Sequence, residues 1–238
     1  MDGNPVYKRV VLKLSGEALG GDSGRGFDLD VIRNVCRAVK MCADMGVQTG
    51  VVVGGGNFWR GARDASFERA RSDQIGMLAT VMNCLALSDV LENMGAEVRV
   101  QTAIGMAPVA EPYDRLRALR HLERGRIVIF GCGTGHPYFS TDTAAVLRAA
   151  ELNAEAILLA KNVDGVYSDD PRKNPAAIKY KKISFSQVLQ DQLEVIDLTA
   201  ASMAMENGIP LLVFALENPE NILSAVCGGD VGTVVDNF

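Results

Sequence analysis

A lysine inside an apolar strand is chemically conspicuous, because an ammonium taken out of water needs an anion to meet it. Lys13 stands in the run Arg9–Leu14 (RVVLKL), directly before Ser15 and Gly16. Two more charged residues follow comparable turns: Arg60 comes after Gly54-Gly55-Gly56, and Asp142 after Ser140-Thr141. A third glycine cluster, Gly131, Gly133 and Gly135, follows the apolar run Ile127–Phe130. Glycine at a strand end lets backbone N–H groups approach a phosphate, and a following helix N-terminus adds its positive dipole. Each cluster alone could be an ordinary tight turn; three at equivalent strand ends point to a ligand with several phosphates. Phosphoryl transfer asks of a protein mainly positioning and positive charge around the moving group. Lys13 and Arg60 would bring the charge, glycine amides would cradle oxygens, and Asp142 would orient the lysine. The plainer reading is a strand-end lysine, a surface arginine and an N-cap aspartate.

The elements that would position these residues alternate between strand and helix. Val47–Val53 reads as a second buried strand after Arg9–Leu14. Between them Val31, Val35, Val39, Cys42 and Met45 recur at helical spacing, with Gly46 placed to end the helix. Ile127–Phe130 and Ala156–Leu159 are short apolar runs, each preceded by a helical pattern. Ser184-x-x-Gln187 has the form of a capping box, and Leu211–Phe214 is a late strand before a helix starting near Pro219. No repeat, low-complexity tract or linker intervenes, so residues 1–238 read as a single domain. The fold class expected is α/β, a mainly parallel twisted sheet sandwiched between helices, with ligands at the carboxyl ends of its strands.

Composition narrows the function. A chain of 238 residues suits one α/β domain, and 48% hydrophobic with 6% aromatic residues suits an aliphatic core. A net charge of −5 argues against a nucleic-acid-binding surface. No uninterrupted apolar run approaches the roughly 18 residues of a membrane span. Met1 to Lys8 lack the apolar segment of a secretory signal, so a cytoplasmic protein is expected. The five cysteines show no CxxC spacing; Cys36, Cys42, Cys84 and Cys227 lie in apolar stretches and read as buried thiols, whereas Cys132 sits in a glycine-rich loop. Two histidines, His121 and His136, argue against a histidine-based zinc site, and no resident metal is expected. The P-loop motif, a G-x-G-x-x-G after the first strand, and the HRD and DFG motifs of protein kinases are all absent from the sequence.

Five stretches, KLSGEAL (Lys13–Leu19), VVVGGGNFWRG (Val51–Gly61), GMLATVMN (Gly76–Asn83), GTGHPYFSTDTAA (Gly133–Ala145) and VDGVYSDDP (Val163–Pro171), resemble the signature segments of bacterial uridylate kinases, members of the amino-acid-kinase superfamily. The resemblance runs from about Val6 to the C-terminus. It implies the amino-acid-kinase, or carbamate-kinase-like, fold. It also implies transfer of the ATP γ-phosphoryl group to UMP in pyrimidine nucleotide biosynthesis, with Mg²⁺ carried by ATP. On this resemblance Lys13, Leu14, Ser15 and Gly16 touch the ATP phosphates, and Lys13, Arg60 and Asp142 form the catalytic set. Gly55 contacts UMP, Gly56 and Arg60 face the phosphates between the nucleotides, and Asp73 holds the UMP ribose. Thr134, Gly135, His136, Pro137, Tyr138, Phe139, Ser140 and Thr141 wrap the UMP base and ribose, His136 standing where such kinases often carry Asn. Asn162, Tyr167 and Asp170 line the adenine and ribose pocket. Lys161 reads equally as a second phosphate-stabilising cation and as a solvated strand-end residue.

On its residues alone, the segment Gly21, Asp22, Ser23, Gly24, Arg25 and Gly26 is a surface turn outside the strand-end clusters. The resemblance makes it part of an allosteric site at which GTP activates, with UTP as an inhibitor. The helical pattern through Met77, Leu78, Val81, Met82, Leu85 and Leu91 offers more apolar surface than one sheet face needs, which marks a subunit interface. The resemblance sharpens that to a homohexamer of three dimers. Two other readings stay open: a non-catalytic binding protein on the same fold, such as a molybdenum-storage protein, and a related kinase acting on a carboxylate or carbamate.

Overall fold

The computed structural model describes residues 3–60, 67–193 and 195–238. Met1 and Asp2 of the amino-terminal segment, and Gly61 at the end of the VVVGGGNFWRG stretch, lie outside them. In chain order the strands begin with β1 (Arg9–Leu14), β2 (Gln48–Val53), β3 (Val98–Thr102), β4 (Glu111–Pro112), β5 (Ile127–Gly131) and β6 (Ala156–Lys161). A short antiparallel hairpin of β7 (Val166–Tyr167) and β8 (Lys179–Tyr180) follows. The last three are β9 (Lys182–Ser184), β10 (Leu211–Ala215) and β11 (Thr233–Asp236). Among the described residues, all but the hairpin pair belong to one sheet of order β4-β3-β5-β2-β1-β6-β10-β11-β9. Its pairings are parallel except between β10 and β11.

Successive strand side chains point to opposite faces, and both faces here are covered, which is why the central strands are apolar throughout. Val10, Leu12 and Leu14 face one core with helices α1 (Leu29–Asp44), α2 (Arg69–Asn93) and the last helix. Val11 faces the other core, filled by α3 (Arg115–Glu123), α4 (Thr141–Leu152), α5 (Phe185–Gln190) and α6 (Leu198–Asn207). The last helix, α7 (Glu220–Val226), starts after Pro219 as expected. The parallel register aligns Leu14 with Val53 and with Ala160, so the turns after β1, β2 and β6 emerge at one edge of the sheet.

Local signals explain the helices and some differences from expectation. The carboxylate of Asp28 accepts hydrogen bonds from the N–H groups of Asp30 and Val31 and opens α1, whose buried stripe is Ile32, Val35, Cys36, Val39 and Cys42. Gly46 ends it at φ +85°, but Met45 has already left the stripe and is partly exposed. Ser184 caps α5 by accepting from the Gln187 N–H, yet the Gln187 amide donates forward to Asp191, so only half of the capping box forms. Cys227, read as buried, is only half-buried beneath the amino-terminal segment, where its thiol donates to the Gly3 carbonyl. Cys132 lies in the glycine-rich loop, where it is fully buried. Helix α2 is long and apolar enough by length and composition to cross a membrane, with 44% of its most apolar stretch buried. Here it packs against α1, β3 and β5.

Candidate active site

The turns after β1 and β2 lie on each other. A Cβ on Gly16 would meet the Gly54 carbonyl oxygen at 2.2 Å, and one on Gly55 would meet the Gly76 carbonyl oxygen of α2 at 2.8 Å. Only glycine permits both approaches. Asn83, fully buried on α2, locks the second turn: its amide donates to the Gly54 carbonyl and it exchanges hydrogen bonds with Asn57 at 2.8 and 2.9 Å.

At the carboxyl edge of β1 and β6, two ammoniums converge on one carboxylate. Lys13 Nζ lies 2.8 Å from Asp142 Oδ1, and Lys161 Nζ lies 2.5 Å from Asp142 Oδ2. The Lys13 contact is an ion pair without hydrogen-bond alignment, so Oδ1 has no hydrogen-bond donor among the described residues. Lys161 also donates to the Val195 carbonyl at 2.5 Å. Burial would push the Asp142 carboxyl up, but the ammoniums of Lys13 and Lys161 hold it well below the usual carboxylate range. Lys161 is lowered because its burial outweighs the pull of Asp142. Asp142 sits in the first turn of α4, whose N-cap Ser140 accepts from the N–H groups of Asp142 and Thr143. Lys161, left open between two roles by the sequence, therefore belongs to this centre as a largely buried second cation.

Two cavities meet here. One, of about 680 Å³, is bordered by Lys13, Ser15, Lys161, Asn162, Tyr167 and Asp170. The other, of about 390 Å³, is bordered by Gly55, Gly56, Arg60, Asp73, Gly76 and Thr80, and across from them by Thr134, His136, Phe139, Ser140 and Thr141. Glu17 borders both and pairs with Arg60 at 2.5 Å. Gly56 and Arg60 thus open toward the smaller cavity, at its seam with the larger. The Leu14 side chain is buried in the core, leaving only its backbone to face a ligand. Gly135, Pro137 and Tyr138 border neither cavity among the described residues. Tyr138 turns outward with Arg69 over its ring, while its N–H donates to Asp73 at 2.8 Å. The loop carries strain at two non-glycine residues with positive φ, Cys132 at 65° and Tyr138 at 73°. In the larger cavity the Tyr167 hydroxyl donates to Asp164, and Asp170 accepts from the Arg172 N–H.

The Gly21–Gly26 segment corrects one expectation. Its first three residues end a 3₁₀ helix, Glu17–Ser23, and it is tied to the second glycine turn: the Gly26 N–H donates to the Asn57 carbonyl, and the Asn57 amide donates back to the Gly26 carbonyl. It is therefore attached to the strand-end clusters rather than outside them, with Arg25 exposed. Sequence reasoning missed Glu17, Asn83 and Asp197 as parts of this assembly. Glu17 and Asn83 lie inside quoted motifs, whereas nothing near Asp197 marks it.

A mainly parallel sheet between helix layers, with a Lys–Asp–Lys centre beside two adjoining cavities, defines a phosphotransferase-like class, and the chain belongs to the amino acid kinase family, whose model matches residues 8–215. Within that class it is similar to solved UMP kinases over nearly its whole length. The UMP kinase from Bacillus anthracis is 40% identical with a TM-score of 0.93, covering 97% of this chain and 96% of that one. The UMP kinase from Ureaplasma parvum is 34% identical with a TM-score of 0.90, covering 97% and 99%. The uridylate kinase from Archaeoglobus fulgidus is 33% identical with a TM-score of 0.74, covering 95% and 99%.

Proposed function

We propose that the chain is a UMP kinase, transferring the γ-phosphoryl group of ATP to UMP to give ADP and UDP. The observation that carries this reading is the Lys13–Asp142–Lys161 centre, whose two lysines border the larger of two nucleotide-sized cavities that adjoin at Glu17, in a chain 40% identical to a UMP kinase. The larger cavity would take ATP and the smaller one UMP. An oxygen of the UMP phosphate, already ionised at neutral pH, attacks the γ-phosphorus; that bond forms as the bond to the ADP oxygen breaks, and no general base is needed. Lys13 and Lys161 meet the charge on the transferred group and the leaving oxygen, Asp142 holds both ammoniums in place, and Arg60 draws the two phosphates together. Mg²⁺ would arrive on the ATP phosphates, where it neutralises charge. Among the described residues no group of three His, Cys, Asp or Glu side chains gathers to hold a metal, and Asp142 is committed to two lysines.

Asp73 and the Thr134–Thr141 segment would read ribose and uracil, with Tyr167 and Asp170 serving the ATP side. Residues 1–238 would form one domain working in the cytoplasm on pyrimidine nucleotide biosynthesis. The exposed row Leu78, Met82 and Leu85 on α2, at 53%, 47% and 40%, supports assembly through that helix into dimers and a hexamer. The attachment of Gly21–Gly26 to the Asn57 turn supports GTP control reaching the phosphates, with activation by GTP reduced in Arg25→Ala and UTP inhibiting. The deciding experiment is ADP release with ATP-Mg and a panel of UMP, CMP, dTMP, AMP, glutamate and aspartate. Turnover confined largely to UMP is expected; comparable kcat/KM for CMP, or bound nucleotide without turnover, would overturn the reading.

A further inference from the structure

We infer that Asp197 is a positioning residue for phosphoryl transfer, fixing the first turn of α4, and Asp142 with it, against the two lysines; this rests on the kinase reading above. Ser140 Oγ accepts from the Asp142 N–H at 3.0 Å and from the Thr143 N–H at 3.1 Å. A hydroxyl has two lone pairs and one proton, so the Ser140 O–H has a single role left, and it donates to Asp197 Oδ2. The Thr143 hydroxyl donates to Asp197 Oδ1 at 3.1 Å. The Ala200 N–H donates to the same oxygen at 2.9 Å, so Asp197 also caps α6. Two residues earlier, the Val195 carbonyl accepts from Lys161.

One short segment before α6 therefore grips both the helix that carries Asp142 and the ammonium that pairs with it. Its neighbours reach both cavities: Gln192, Leu193 and Val195 border the larger one, and Ser140 and Thr141 the smaller. A carboxylate is required at 197, not merely a polar group. Asn offers one acceptor oxygen, so if that oxygen faces Ser140 the Ala200 N–H loses its partner, and if it faces Ala200 the Ser140 proton meets an NH₂ group. The charge has a second role. Lys161 is faced by Asp142, Lys13 and Asp197, and the Asp197 carboxylate favours its charged form against burial.

The test compares wild type with Asp197→Asn and Ser140→Ala, measuring kcat, the UMP KM, the thermal midpoint, and the Lys161 Nζ titration by heteronuclear NMR without substrates. Asp197→Asn is expected to lower kcat about tenfold or more, because a small misplacement of catalytic groups is costly, with UMP KM and midpoint little changed. In that variant Lys161 titrates at lower pH. In Ser140→Ala kcat falls as well, but the Lys161 titration stays in place. Asp197→Asn with kcat within about twofold of wild type, or with Lys161 titrating as before, would overturn the inference. A wild type without UMP turnover would refute the kinase reading instead, and the substrate-free titration would still decide the role of Asp197.

Discussion

The smaller cavity is walled by helix α2 and by turns whose backbone is committed, whereas the larger one is walled on its outer side by the loops around β7 and β8. On the first side, Gly16 and Gly55 fit where no other residue fits, Asn83 is buried and satisfied, and the Cys132–Tyr138 loop holds positive φ angles. On the second, the polar groups are surface ion pairs: Asp164 with Lys179, and Asp170 with Arg172 and Lys173. Preformed walls let one pocket reject analogues, because polar groups fixed in place cannot move to pair with a different ligand. Loop walls can adjust to the common donor nucleotide, so discrimination belongs on the acceptor side and tolerance on the donor side.

The largest effect should come from the Lys13–Asp142–Lys161 centre, whose lysines border the larger cavity near its seam with the smaller one. Lys13→Ala should lower kcat by about 10²-fold or more, since it removes a charge aimed at the transition state. Asp142→Asn should act in the same direction, because a carboxamide cannot hold two ammoniums; near-normal turnover in either would remove the centre from the comparison. Next comes the rigid wall. Gly55→Ala forces a methyl onto the Gly76 carbonyl and the Ala79 side chain, so it should cost about 1–3 kcal/mol in thermal unfolding and raise the UMP KM more than the ATP KM. Equal effects on both constants would erase the contrast.

A pH profile sharpens it further. Lys161 is lowered by burial in the free protein, so the alkaline limb of kcat/KM should fall below the ordinary lysine value of 10.5. The sign follows from charge: the ammonium is needed, and raising pH removes it. In Lys161→Arg the residual activity should lack that limb. The smallest effect is expected on the loop wall. Arg172→Ala removes an exposed pair with Asp170, and the ATP KM should change by less than about threefold.

The same contrast governs what could be read from the sequence. Strands β1, β2, β5, β6 and β10 were legible because burial on both faces makes them nearly pure aliphatic runs. β3 was not, since Arg99, Gln101 and Thr102 break its apolar character at the rim of the sheet, and the two-residue strands carry no period at all. Lys13 and Asp142 stood out because a charge amid apolar residues or after a strand-end turn needs a reason. Lys161 ends its strand, where charge is ordinary, and only the fold shows it largely buried against Asp142. Asp197 lies 55 residues beyond Asp142, and a partnership across that distance leaves no mark on local pattern.

The indole of Trp59 borders the smaller cavity, donates to the Ser72 hydroxyl at 3.1 Å, and meets the Phe67 ring edge-on. It is also the single tryptophan of the chain. Its emission is therefore a built-in optical gauge of that one compartment. A ligand entering beside Gly55 changes the polarity around the ring and should shift its colour or brightness, while one confined to the Tyr167 side should leave it dark to the event. Occupancy of the smaller compartment can then be followed in the unlabelled protein whether or not the larger one is filled.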